Sequence, residues 1–435
     1  MSLPATVQRY LARRAVPGPW RIQGDDGRRF AGAVVIPALA ESTDLFHTLS
    51  SLAANPPELL QQFLILVVVN HRPDTPTAQQ ADNRRTLELL NRRCLCLRPL
   101  QLAWIDAASP GRELPVADGG VGLARKIGFD LVLERLAWGH TDPLLAALDA
   151  DTLVQPDYLP ALRDHFAQTA KGGAVLPFCH PLPDDAKQRQ AMVLYELYLR
   201  CHVLGLGLAG SPYAFHTIGS TMACRADSYV RCGGMNRRQA GEDFYFLQQL
   251  AKTDGVEQLS GTVVFPSARI SERTPFGTGR SVAALCDPAG GGSLFHQPRA
   301  YSLLGDWLKH ATGHWQDTGA AIQQWAGRTH PYLAQFLERE NFVAVWDRLS
   351  RNHATAVARR AAFHGWFDGL KTTRLLHYLA SGPWPRCSPE HAVPDLMNGI
   401  GLEAAAGAEQ QLMQLRRLQA ATGGNRRATH RRTTF

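Results

Sequence analysis

No two of the eight cysteines are spaced as C-x-x-C. The closest pair, Cys94 and Cys96, is one residue apart, a spacing that fits no common zinc framework. On a strand those two side chains would share a face. The cysteines read as reduced thiols, which suits a cytoplasmic protein. The opening stretch, MSLPATVQRYLARRAVPGPW, lacks the apolar centre of a secretory signal. No uninterrupted apolar run reaches the ~18 residues that a membrane-spanning helix needs. The nearest approach, AMVLYELYLRCHVLGLGLAG, is broken by Glu196, Arg200 and His202 and reads as a buried or interfacial helix. None of the sixteen histidines stands as HxxxH with an acid, so most read as surface or satisfied core groups. Acids are missing after Glu409, whereas Arg416, Arg417, Arg426, Arg427, Arg431 and Arg432 all fall there. That tail has no interleaved aromatics. It reads as a solvated terminus without a nucleic-acid role, although such a tail can also touch an anionic membrane surface.

What is present is globular. Hydrophobic residues make up 45% and charged residues 19% of 435 residues, enough for two or three domains with sizeable cores. Residues 1–30 read as a short helical segment and a turn. From Phe30 short apolar runs alternate with helical patterns. AGAVVIPA, FLILVVVN, LQLAWIDAA, LLAALDAD and GAVLPFCH read as strands, and the segments between them as helices. Continuous apolar strands separated by helices predict a largely parallel sheet covered on both faces. Such folds bind ligands beyond the carboxyl ends of their strands, and Asp74, Asp106, Asp149 and Asp151 all follow strand ends. After Pro275 come the Gly-rich PFGTGRS and DPAGGGS. From about Leu303 to Leu379 the chain reads as helices, with Trp307, Trp315, Trp325, Trp346 and Trp366 as packing anchors. No internal repeat is visible.

At LDADT a resemblance takes shape. The ordered pieces VVIPALAE, VVVNHRPDT, GLARKIG, LDADTLVQPDYL and GGM…GEDFYFLQQL, over roughly residues 31–275, resemble the family 2 glycosyltransferases. Each piece alone is weak; their order and spacing are specific. The resemblance implies an α/β fold of the GT-A type, a Rossmann-like and mostly parallel sheet. It spans 31–275, followed by a mostly helical extension over 276–410 and a basic, flexible tail over 411–435. It implies an inverting enzyme that moves one sugar from a nucleoside-diphosphate sugar to an acceptor hydroxyl. The acceptor itself is not legible, and no nucleic-acid partner is expected. If the acceptor is lipid-linked, peripheral association with the inner face of an anionic membrane is expected of this cytoplasmic protein.

Site residues follow from the same resemblance. Asp243 is the general base, with Glu242 orienting it or contacting the acceptor; both could instead be acids favoured at a helix N-terminus. Pro37, Ala38 and Glu41 belong to the loop that cradles the nucleotide, Glu41 also reading as a helix-start charge. Asp74 matches the acid that contacts the nucleobase, or is a turn residue. Arg125 lies in a helix near the donor diphosphate, or is solvated beside Lys126. Asp149 matches the partner of the donor's ribose or sugar, and Asp151 the ligand of a divalent cation, Mg²⁺ or Mn²⁺. Such a cation would stabilise the departing diphosphate by several kcal/mol. Capping does not account for the DAD pair, because Asp157 fills the N-cap position of the next helix. The helix over 191–215 stands where the family places acceptor contacts.

Two departures stand out. Many members carry a histidine some 30 residues after the acidic pair, whereas VVFPSARISERTPFGTGRS has none. Arg269, Arg273 or Arg280 is then a candidate source of positive charge, and His296 a distant substitute. The Q-x-x-R-W motif of processive members is also missing, which favours transfer of a single sugar. GTGR at Gly277–Arg280 is too short for a dinucleotide fingerprint. Two other classes compete: a sugar nucleotidyltransferase, which wants a Gly-rich cationic loop after the first strand, and a non-catalytic nucleotide-binding scaffold of the same fold.

Overall fold

The computed structural model describes residues 3–92, 97–139, 142–270, 277–287 and 294–422. Cys94, Cys96, Arg273 and the arginines from Arg426 onward lie outside them. The chain forms two compact units: residues 1–183 with 217–283 and 418–435, and residues 184–216 with 284–417.

The first unit is built on an eight-stranded sheet in the order β1-β4-β3-β2-β5-β8-β7-β9. The strands are β1 (Ile22–Gln23), β2 (Gly32–Ala38), β3 (Phe63–Asn70), β4 (Gln101–Ala107), β5 (Leu144–Ala147), β7 (Gly173–Val175), β8 (Met222–Arg225) and β9 (Val256–Gln258). A separate ribbon pairs β6 (Leu153–Val154) with β10 (Val264–Phe265). Strands β4, β3, β2 and β5 run parallel, β8 is antiparallel between β5 and β7, and β9 is parallel to β7. This is the mostly parallel sheet that the motif order implies. Every residue of β2 and β3 is buried, as continuous apolar runs require when both faces are covered.

Helices α1 (Ala5–Arg14), α2 (Asp44–Ala53), α3 (Pro57–Leu60), α4 (Thr77–Arg92), α5 (Val121–Val132), α6 (Tyr158–Gln168), α8 (Ala226–Arg231) and α9 (Glu242–Thr253) belong to this unit. The strand order reverses between β2 and β5, whose register sets Val35 opposite Ala147. The loops after both strands therefore leave side by side at a topological switch point, where α/β sheets bind ligands. Gly128 carries α5 across this region: a Cβ there would overlap Val35 Cγ1, so only glycine lets the helix lie so close to β2.

The expected boundaries shift in three places. Residues 1–30 are part of the first unit, because Asp130 on α5 accepts hydrogen bonds from the hydroxyls of Tyr10 and Tyr229, each at 2.7 Å. Lys126 completes that buried group at 3.0 Å from Asp130, so it is not the solvated neighbour of Arg125. The segment 184–216 joins the second unit. Its helix α7 (Ala186–Leu208) packs on α11 (Pro298–Gly313) and α17 (Pro389–Asn398). Finally, the expected tail starts inside a helix, α18 (Ala408–Thr422).

The rest of the second unit is helical: α12 (Gly319–Thr329), α13 (Pro331–Arg339), α14 (Phe342–Asn352), α15 (Ala356–Trp366) and α16 (Gly369–Ala380); along the chain, the division after Ala283 falls within α10 (Thr278–Cys286). Trp307 and Trp346 are fully buried among Phe342 and Phe363, as the anchor reading expects; Trp315, Trp325 and Trp366 are only half-buried. By length and composition α7 is the one helix, among the described residues, long and apolar enough to cross a membrane. Yet Glu196 in its middle is completely buried and ion-paired with Arg200 at 2.7 Å and Arg416 at 2.6 Å. A charged group so placed is held by a packed protein interior.

Candidate active site

The loops after β2 and β5 meet through a few hydrogen bonds. Thr48 on α2 donates to the carbonyl of Ala150 at 2.9 Å, and the Thr152 amide to that of Asp149 at 3.1 Å, which fixes the DAD turn. Asn83 on α4 braces the neighbouring loops. It accepts from the Ala40 amide at 2.9 Å and donates to the Asn70 carbonyl at 3.0 Å. Ala40 has φ 54, a strained value for a non-glycine residue that this brace holds. Pro37 and Ala38 are the last two residues of β2, and the Ala38 carbonyl accepts from Asn70 at 3.2 Å.

Two arginines divide the acids of this region. Arg125 projects from α5 and is 2% exposed. One of its Nη atoms is paired with Asp149 and the other with Glu242, the first residue of α9. A buried guanidinium without partners would cost several kcal/mol, so two carboxylates at once are what keeps it there. Asn236 donates to the Glu242 carbonyl at 2.8 Å and secures the start of α9. Asp243 is half-buried and accepts from the Phe244 amide at 2.7 Å. Burial, then the neighbouring charge of Glu242, pushes the Asp243 carboxyl up to about 7, with Arg125 opposing. Burial also raises Glu242, and Arg125 again opposes. Three carboxylates share one guanidinium here. Asp149 and Glu242 hold its two Nη atoms, and Asp243 feels its charge from beside Glu242.

The second arginine is Arg269, just after β10. Its Nη atoms pair with Glu41 and Asp44, and one reaches Asp151 at 2.8 Å. Of the three arginines that the missing histidine brought forward, Arg269 is the one beside Asp151. Arg280 is exposed on α10, and Arg273 lies outside the described residues. His296 sits in the second unit, its ring stacked 5.5 Å from that of His377. Glu41, Asp44 and Asp151 offer hard oxygen ligands of the kind Mg²⁺ or Mn²⁺ takes, but all three converge on Arg269. Among the described residues no three metal-ligating side chains are grouped to hold an ion. As arranged, these residues do not fit a divalent cation.

The structure thus gathers Glu242, Asp243, Arg125 and Asp149 into one group and Glu41 and Asp151 into another. Asp149 and Asp151 flank a single residue, so the DAD turn joins the groups. Asp74 stands apart: its carboxylate is 49% exposed and pairs with Arg72 at 3.0 Å. Asp106 turns back on its own loop, accepting from the Ser109 amide at 2.8 Å. Asp157 stands at the N-cap of α6 but makes no side-chain cap bond. Sequence reasoning missed Asp44, Thr48, Asn83 and Asn236. The first is a helix-start acid and the others are common polar residues inside helices or loops, and none belongs to a motif.

No protein-family model and no curated protein matches the chain. Among solved structures it is similar to S. aureus TarS 1-349 in complex with UDP-GlcNAc, at 12% identity over 77% of this chain and 88% of that one, with a TM-score of 0.37. It is similar to the mannosyltransferase PcManGT from Pyrobaculum calidifontis in complex with GDP-Man and Mn²⁺, at 14% identity over 95% and 92%, with a TM-score of 0.37. It is also similar to the M. tuberculosis glucosyl-3-phosphoglycerate synthase, at 13% identity over 70% and 86%, with a TM-score of 0.33. At such identities and scores the likeness carries no argument about what this chain does.

Proposed function

We propose that this chain is an inverting glycosyltransferase that moves one sugar from a nucleoside-diphosphate sugar to an acceptor hydroxyl. The observation that carries this is the buried Arg125 shared by Asp149 and Glu242, with Asp243 beside them at the sheet's switch point. A carboxyl poised near neutrality suits a general base. Asp243 takes the proton of the acceptor hydroxyl as its oxygen attacks the anomeric carbon. The bond from that carbon to the phosphate oxygen breaks on the opposite face, its electron pair leaves with the diphosphate, and the configuration inverts. Asp149 holds the sugar or ribose, while the ends of β2 and β3 cradle the nucleotide. A sugar nucleotidyltransferase would need a cationic loop after β2, but that loop carries Glu41.

Turnover and donor affinity, measured together for three variants against UDP, GDP and dTDP sugars, test this. Asp243→Asn lowers turnover by ~10²–10⁴-fold with donor affinity nearly unchanged. Asp151→Asn weakens both, and Glu242→Gln falls between. Full turnover in both Asp243→Asn and Glu242→Gln would remove the base from this motif. Full turnover in Asp243→Asn with an inactive Glu242→Gln would move it to Glu242.

A further inference from the structure

Among the acids and bases of the site, Arg125 is the group whose place in the fold disagrees most with its expected contact to the donor diphosphate. It is 2% exposed, and both Nη atoms are committed, one to Asp149 and one to Glu242. Its remaining Nε is buried without a hydrogen-bond partner. The face of the guanidinium is closed by Gly219, where a Cβ would overlap Nη2 and approach Cζ to 2.8 Å. A diphosphate binds arginine through a solvent-facing fork of N–H groups, and no such fork is left. What Arg125 does touch is one acid from each of the two motifs.

We propose that Arg125 is a positioning residue for the base, linking Asp149 to the Glu242–Asp243 pair, and that it is not a ligand of the donor diphosphate. By ion-pairing Glu242 it holds the first turn of α9 over the carboxyl end of the sheet. Its positive charge also opposes the upward shift of both Glu242 and Asp243. It keeps Asp243 from being driven still further toward the protonated form by Glu242 and Asp149. Gly219 is the structural condition for this, since any side chain there takes the space of the guanidinium. The proposal rests on the glycosyltransferase reading for the identity of the base, and it assigns that site a residue whose role is electrostatic.

Two measurements made side by side on the full chain test it. One is the dissociation constant for UDP and for GDP, by calorimetry. The other is the carboxyl titration of Asp243, by NMR of protein labelled with ¹³C-aspartate and assigned by loss of the signal in Asp243→Asn. In Arg125→Met and Arg125→Lys the nucleotide dissociation constants stay within about threefold of the parent. The Asp243 midpoint rises by about one pH unit in Arg125→Met, since Arg125 is the charge that holds this carboxyl down. It rises less in Arg125→Lys, which keeps the charge. Gly219→Ala leaves the arginine in place but displaces its guanidinium. It moves the midpoint in the same direction and covers the case in which Arg125→Met does not fold. A tenfold or greater loss of nucleotide affinity with an unmoved midpoint would overturn the proposal and make Arg125 a diphosphate ligand. Failure of the parent chain to bind either nucleotide would instead count against the glycosyltransferase reading, and a midpoint that still moves would leave the electrostatic link standing.

Discussion

A carboxyl held near neutrality is a stability cost, and Asp243 makes that cost measurable. Its carboxyl is raised from 3.8 to about 7, first by burial and then by the charge of Glu242. In the unfolded chain the same group ionises near its ordinary value. Below about pH 4 both states carry the proton, and the group is neutral to stability. Between about 4 and 7 only the folded state keeps it, so stability falls as pH rises, by about 1.4 kcal/mol per unit. Above 7 both states are ionised and the whole penalty is present. Three units give about 4 kcal/mol as a limit, and roughly half of that once solvent at a half-buried carboxylate is counted. Asp243→Asn keeps the shape and the bond from the Phe244 amide but cannot ionise. The variant is therefore expected to be more stable than the parent by about 2–4 kcal/mol at pH 8, with the gap closing as pH falls to about 4. Urea unfolding of both proteins across that range gives the difference directly, and subtraction cancels the other titrating groups. A gap that stays constant with pH, or an Asn variant no more stable at pH 8, would refute the idea that this carboxyl is strained toward its neutral form.

Two further expectations follow from the ion clusters. Arg269→Met removes the guanidinium on which Glu41, Asp44 and Asp151 converge. Mn²⁺ binding, read by electron paramagnetic resonance, is expected to tighten by roughly tenfold or more, and equal binding in parent and variant would show that Arg269 does not occupy the cation's place. In the second unit, burial followed by nearby cations lowers His202 to about 4 and His296 to about 2, with Arg386 and His377 around both. The unfolded chain takes up these protons near 6.5 and the folded one does not, so stability is full above 6.5 and lost as pH falls toward 4, at about 3 kcal/mol per unit for the pair. His296→Phe should halve that slope in urea titrations; an unchanged slope would mean that His296 is protonated in the folded unit.

The parallel sheet was legible because its strands are buried on both faces. FLILVVVN can be little else, and β3 runs over that very stretch, Phe63–Asn70. Shorter elements escaped. Ile22–Gln23 pairs with β4 without any apolar pattern of its own, and GAVLPFCH yields a strand of only three residues, Gly173–Val175. The assignment of 184–216 to the second unit was not legible either. The apolar surface of α7 shows that it is covered but not by what, and its partners α11 and α17 lie about a hundred and two hundred residues downstream.

The site shows the same limit at the scale of single side chains. Acids at the ends of elements declare themselves, since Asp149 and Asp151 follow β5 and Glu242 and Asp243 open α9. A sequence cannot show which cation each acid meets. Arg125 and Lys126 are neighbours, and on paper their charges are interchangeable. The helix turns them apart, Arg125 toward Asp149 and Glu242, Lys126 toward Asp130 and Tyr10. Arg269 is 118 residues from Asp151 and meets it because β10 pairs with β6, which begins two residues after Asp151. The acids are set by local order along the chain and the cations by tertiary pairing. Asp149 and Asp151, one residue apart, differ in the cation beside them, Arg125 for the first and Arg269 for the second, and that difference is decided at the second level.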